Sequence, residues 1–215
     1  MTKHLVKFNE DGFIVVPDIV SISEVHEISL RCKDLQFHRA GTRNLLNHNW
    51  IQALSLRISL HPIISRLLPS KAKSVQCTYF HKSKDKNWLV PLHRDTSIPV
   101  KVKFEAPDWD GWSKKEGVWF AKPPEEVLRN LVAVRVHLER NTIENGALQV
   151  IPGSHRHDEV ANNRTTCDIP SGGALVMHPL ILHSSSKLSS GRRRVLHFLY
   201  APPTLPAPAE WAHAM

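Results

Sequence analysis

The hydrophobic pattern of this chain changes character near residue 72, and that change restricts the fold more than any other feature. Before it, Ile22, Val25, Ile28, Leu30 and Cys32 recur at near-helical spacing behind Ser21 or Ser23 as N-cap. The stretch "NHNWIQALSLRISLHPIISRLL" predicts two more helical pieces, with Pro62 near the start of the second. Ahead of them "GFIVVPDIVS" predicts a short strand packed beside the first helix. After residue 72 the apolar segments are short, often β-branched and punctuated by Gly, Pro, Asn and Ser: "SVQCTYF", "NLVAVRVHL", "GALQVI", "GGALVMHPLILH", "RRVLHFLYA". A helical part over about 18–70 followed by strands over about 72–201 predicts a mostly β, α+β chain whose sheet closes into a barrel or sandwich. The Pro-rich tail, 202–215, is expected to run extended over the surface. With 215 residues, 41% hydrophobic and no internal repeat, the expectation is one domain around one core.

Composition narrows the function classes. The three cysteines, Cys32, Cys77 and Cys167, are far apart and in no C-x-x-C spacing, which argues against a disulfide framework or zinc knuckle and fits a reducing compartment. No stretch approaches the roughly 18 apolar residues of a membrane span, and residues 1–13 lack a signal-peptide h-region, so a soluble cytoplasmic protein is expected. A formal charge of +8 suits nucleic acid or an anionic small molecule. The cations are dispersed, and the one tight cluster, Arg192 to Arg194, sits inside a predicted strand; a small molecule is therefore favoured over nucleic acid.

Within "WLVPLHRDTSIPV", residues 88–100, His93 and Asp95 sit two apart and share one face of an extended strand, with Arg94 pointing away. A metal ion is an object both can hold. H-x-D alone is close to chance in a chain with fourteen histidines. A second imidazole strengthens it: His183 ends an apolar segment, with His178 as competitor facing the other side of that predicted strand. Two histidines and one carboxylate form the facial triad of non-haem Fe(II) oxygenases, which leaves open coordination positions, whereas zinc more often takes a closed set with cysteine.

The segments "NWLVPLHRD", "ENGALQVIPGSH", "HPLILHSSS" and "RRRVLHFLYA" resemble the phytanoyl-CoA dioxygenase family of Fe(II)/2-oxoglutarate oxygenases over roughly residues 10–200. The resemblance implies a double-stranded β-helix, a jelly-roll with the metal in its mouth. It implies His93, Asp95 and His183 as catalytic metal ligands, with Fe(II), 2-oxoglutarate and O2 as cofactor and cosubstrates, and succinate and CO2 as products. The family's H-x10-R spacing selects His183 together with Arg194, which would grip the distal carboxylate with Ser185 donating a hydrogen bond. Strand alternation puts Arg192 with Arg194 and Arg193 opposite, so a one-residue slip matters. Tyr79, Lys82 and Asn87 fall on a segment that borders the cosubstrate in this family. Because Asp95 is present, hydroxylation is expected rather than halogenation, in which related enzymes replace the carboxylate. Arg94 departs from the Gln frequent in relatives.

Further site candidates come from the residues themselves. In "LVAVRVHLER" the alternation puts Ala133, Arg135 and His137 on one face; Arg135 is a candidate for an anionic group of substrate or for the 2-oxoglutarate carboxylate, the alternative being a pair with Glu139 or Glu144. His137 is expected to be a packed strand histidine, and His155 in "PGSH" to lie near the pocket on a turn. Trp109, Trp112, Trp119 and Phe120 mark residues 105–124 as a lid over the substrate or a satellite hydrophobic cluster, with Trp112 as substrate contact. "RAGTRNLL", 39–46, offers Arg43 as an anion contact. The leading expectation is a dioxygenase hydroxylating a small, possibly anionic molecule; the rivals are a nucleic-acid-directed dioxygenase and a metal-binding jelly-roll without turnover. Substrate identity and oligomeric state are not legible.

Overall fold

The computed structural model describes residues 3–35, 41–157 and 163–215. Helix α1 (Lys3–Asp11) leads through Gly12 into strand β1 (Phe13–Val16). Gly12 has φ +81°, and a Cβ there would stand 2.4 Å from His155 Nδ1, so only glycine fits. Helix α2 (Ile22–Arg31) begins with a capping box: the Ser21 Oγ accepts the Glu24 N–H, and the Glu24 carboxylate accepts the Ser21 N–H at 2.8 Å. Of the two anticipated caps, Ser21 is the one used. A two-residue strand β2 (Gly41–Thr42) precedes α3 (Asn49–Ser59). The second expected helical piece after Pro62 is a single 3-10 turn, Ile64–Arg66. Residues 39 and 40 of the anticipated 39–46 loop lie outside the described residues; Arg43 is within them.

The rest of the chain is β3 (Lys73–Lys82), β4 (Val90–His93), β5 (Ile98–Val100), β6 (Asp110–Lys115), β7 (Val118–Lys122), helix α4 (Glu125–Arg129), β8 (Val132–His137), β9 (Leu148–Val150), β10 (Thr165–Thr166), β11 (Ala174–Met177), β12 (His183–Ser185) and β13 (Arg193–Ala201). They form antiparallel sheets of six strands (β1-β11-β8-β13-β3-β2), four strands (β10-β9-β12-β4) and three strands (β5-β7-β6). The large sheet is buried on both faces. Its outer face packs Val134, Val136, Val176, Leu196, Phe198 and Tyr200 against Ile28, Leu54 and Ile58 of the helices. Its inner face meets the four-stranded sheet through Ala133, Leu175, Met177 and Leu199 against Leu148, Val150 and Ile181. Each such aliphatic or Phe side chain removed from water contributes roughly 1.5–3 kcal/mol. Two facing antiparallel sheets with helices on one flank are the expected jelly-roll.

The expected strand "GGALVMHPLILH" is broken. Strand β11 stops at Met177, residues 178–182 turn, and His183 opens β12 in the other sheet. Pro179 has no N–H to donate, and the Ile181 N–H closes the turn on the His178 carbonyl at 3.0 Å. Strand parity therefore does not relate His178 to His183. The tail is pinned down: Trp211 is buried and bridges Val100, and Met215 and Ser74 exchange backbone hydrogen bonds at 3.1 Å.

Candidate metal centre

Strands β4 and β12 are antiparallel neighbours whose register puts His93 directly opposite His183, ninety residues away in sequence. The chain stays extended past β4, and the Asp95 N–H donates to the Pro179 carbonyl at 2.9 Å, fixing Asp95 beside the turn before β12. The result is a three-sided nest. His93 Nε2 lies 3.5 Å from Asp95 Oδ1, and His183 Nε2 lies 3.7 Å from Asp95 Oδ2. Ligand atoms of all three residues lie within 4.8 Å of one another.

The imidazoles are oriented from behind. His93 Nδ1 is 2.8 Å from the Pro91 carbonyl and His183 Nδ1 is 2.9 Å from the Ile181 carbonyl. A carbonyl can only accept, so each Nδ1 carries the proton and each Nε2 lone pair faces the carboxylate. Three electron-rich atoms turned toward one point fit a divalent cation. Burial alone would oppose ionisation of Asp95, but His183, the adjoining His93, His197 and Arg135 outweigh it and hold the carboxyl well below the usual carboxylate range. Burial pushes His183 down, favouring the neutral, ligating form, whereas contact with Asp95 raises His93.

The triad borders a cavity of about 350 Å³ reaching inward between the sheets. Arg193 and Arg135 line it. Arg193, Val195, His197 and Leu199 share the inner face of β13; Arg194, Leu196, Phe198 and Tyr200 share the outer, helix-facing side. Arg194 thus points away from the cavity and grips Glu139, its Nε at 2.6 Å and its backbone N–H at 2.8 Å from that carboxylate. Arg192 pairs with the same Glu139 at 3.0 Å. Arg193 donates to the Gly146 carbonyl, and its buried Nε has no acceptor among the described residues. Burial, then Arg135, pushes Arg193 down to about 9.

Other anticipated residues separate into those that reach the cavity and those that do not. Ser185 lines it and accepts a 2.9 Å hydrogen bond from buried Lys82, which also donates to the Ser186 carbonyl at 2.7 Å. Desolvation, with Arg193 and Arg135 nearby, pushes Lys82 down to about 7. Tyr79 faces the helices with Arg194 and Cys32. Asn87 clamps the β12–β13 loop, its side chain donating to the Leu188 carbonyl and accepting the Leu188 N–H, both at 2.9 Å. Arg43 lines the mouth. Residues 110–122 form the β6–β7 hairpin, whose tip Glu116 accepts the Arg43 N–H at 2.7 Å. Lys115 and Phe120 of that hairpin line the cavity; Trp112 packs edge-on against Phe104 and Trp119 instead. His178 is engaged with backbone, the Leu180 N–H on Nδ1 and the Arg129 carbonyl at Nε2. His155 lies tilted against the His178 ring, the centroids 5.2 Å apart, and does not line the triad's cavity. Arg94 borders the same cavity and bonds the carbonyls of Leu180, Ser154 and His157 at 2.9, 2.9 and 3.2 Å, tying the β4 end to the approach of β12.

Sequence reading missed Arg193 and His197. A signal for both exists: His197 interrupts the apolar run of β13, and counting back four residues along its face reaches Arg193 rather than Arg194.

Known proteins share this architecture. HygX from Streptomyces hygroscopicus, solved with nickel and 2-oxoglutarate, superposes with TM-score 0.66 at 16% identity over 94% of this chain and 87% of that one. The epimerase SnoN, solved with Fe3+, α-ketoglutarate and nogalamycin RO, gives TM-score 0.66 at 18% identity over 96% and 90%. The ThoJ–nickel complex, a non-heme monooxygenase, gives 0.65 at 17% over 99% and 82%. At these identities the likeness establishes the fold. No curated protein matches the sequence. Among the described residues, no helix is long and apolar enough to cross a membrane. The family model described as phytanoyl-CoA dioxygenase (PhyH) matches residues 8–195, nearly the whole barrel and its helices, and the chain belongs to that family.

Proposed function

We propose that this chain is an Fe(II)- and 2-oxoglutarate-dependent dioxygenase that oxidises a small molecule and releases succinate and CO2. The observation that carries the reading is the convergence of His93 Nε2, His183 Nε2 and the Asp95 carboxylate at a cavity that also holds a buried arginine, Arg193, with no carboxylate partner among the described residues. When bound, Fe(II) with 2-oxoglutarate supplies the oxygen-dependent oxidation, and two imidazoles plus one carboxylate leave it the open positions that chemistry needs.

The protein's own part is positional. Pro91 and Ile181 hold the two imidazoles by their Nδ1 protons, so the ligand set is built before metal arrives. Arg193 takes the distal carboxylate of the cosubstrate, the role expected of Arg194 from spacing, because it alone of the three consecutive arginines lines the cavity. Ser185 assists: its oxygen already accepts from Lys82, so its hydroxyl proton is free to donate to the same carboxylate. Phe80, Trp88, Ile98 and Phe120 supply apolar walls that limit water around the reacting groups.

Anaerobic titration with Fe(II), followed by 2-oxoglutarate, tests the reading. The wild type is expected to develop the charge-transfer absorption of the ternary complex and to form succinate in air; His93→Ala is expected to do neither. A wild-type protein that takes up no iron, or binds it without 2-oxoglutarate, sinks it.

A further inference from the structure

Arg135 is a second buried guanidinium in the same cavity, and among the described residues it has no carboxylate at ion-pair distance. It is 7% exposed on the inner face of β8 and makes no ion pair with a described carboxylate; Glu139, one of its expected partners, is taken by Arg192 and Arg194. One terminal nitrogen bonds His197 Nδ1 at 2.7 Å, the guanidinium lies over the Phe80 ring at 5.5 Å, and Nε has no acceptor among the described residues. His197 brings no counter-charge, since burial and Arg135 push it down to about 3 and keep it neutral. An uncompensated buried charge is strongly unfavourable, so such a residue points to an anion supplied from outside.

Position separates Arg135 from Arg193. Arg135 pairs in register with His197, four residues beyond Arg193 on the neighbouring strand, or about 13 Å along it at the strand rise. Its hydrogen-bond partner His197 lines the cavity together with the metal ligands His93, Asp95 and His183. Charge points the same way. A divalent metal, Asp95, a doubly charged cosubstrate and Arg193 sum to zero, which leaves the guanidinium of Arg135 without a counter-charge, beside a Lys82 already pushed down to about 7. Arg43 at the mouth already has Glu116 at 3.4 Å.

Resting on the dioxygenase reading, we propose that Arg135 is the substrate-carboxylate subsite, so that the molecule oxidised is a small monocarboxylic acid held by its carboxylate beside the metal. One negative charge matches the vacancy, whereas a phosphate monoester near two charges exceeds it. The apolar wall of Phe80, Trp88, Ile98 and Phe120 suits the rest of such an acid.

The test uses the full chain loaded with Ni(II) and 2-oxoglutarate, which cannot turn over, and calorimetric titration with phenylacetate and its uncharged mimic phenylacetamide. The wild type is expected to bind the acid at least tenfold tighter than the amide. Arg135→Gln is expected to reduce that preference to within about twofold, and Arg135→Lys to retain part of it, while the 2-oxoglutarate dissociation constant of both stays within about threefold of wild type. Equal binding of acid and amide by the wild type overturns the proposal. So does a tenfold or greater loss of 2-oxoglutarate affinity in Arg135→Gln, which would assign the guanidinium to the cosubstrate. A wild type that binds no 2-oxoglutarate fails the dioxygenase reading itself, a separate result.

Discussion

Arg193 and Arg194 are consecutive, both buried, and opposite in consequence. Arg194 lies under the helices with a carboxylate at hydrogen-bond distance, its charge matched within the chain. Arg193 lies inside the barrel with a backbone carbonyl and an unsatisfied Nε. A matched buried charge holds the fold together; an unmatched one waits for a ligand. The lesson is that partner and face, rather than residue type, separate a structural arginine from a binding one.

The widest break in that comparison comes from the metal side. Asp95→Ala is expected to lower succinate formation by at least about a thousandfold while circular dichroism stays native, because it deletes the one carboxylate of the triad. Next, Arg193→Gln is expected to weaken 2-oxoglutarate by roughly ten- to a hundredfold, the loss of a charge-assisted pair of about 1.5–3 kcal/mol, with the melting temperature little changed or raised. Arg194→Gln should show the reverse: about 1–3 kcal/mol less stability in urea unfolding and a 2-oxoglutarate KM within about twofold of wild type. If the two variants exchange these signatures, the assignment of faces is wrong.

The smallest effect concerns pH. Lys82 is depressed to about 7 in the folded protein, below its ordinary value of 10.5. Between those values the unfolded chain binds more protons at this residue, so its contribution makes the protein more stable as pH rises from about 7 toward 10.5. Lys82→Met is expected to flatten that part of the urea-unfolding stability profile; an unchanged slope would show that Lys82 keeps its proton at alkaline pH.

Much of the fold was legible. Short β-branched segments mark β3, β8, β9, β11 and β13, and a capping serine ahead of near-helical spacing marks α2. Helix α1 was not anticipated: at nine residues it is too short to be stable alone, and it buries a single residue, Phe8. Residues 105–124 were expected to form a lid or a hydrophobic cluster. They contain the β6–β7 hairpin, whose Gly117 at φ +84° permits the turn and whose tip is fastened to Arg43 and Asn44. Asn87 and Tyr79 sit where a cosubstrate contact was expected, yet one clamps a loop and the other faces the helices.

What the chain's order of residues determined by itself was local chemistry: two ligands at i and i+2 on an extended segment, a third imidazole ahead of a run of arginines, and strands in the sequence of a jelly-roll. Which arginine meets the cavity was decided by tertiary structure. Every residue of β13 is buried, nine in succession, because helices cover one face of the large sheet and the second sheet covers the other. Where both faces are dry, polar and apolar residues need not alternate, and a period of two has no visible phase until packing supplies it.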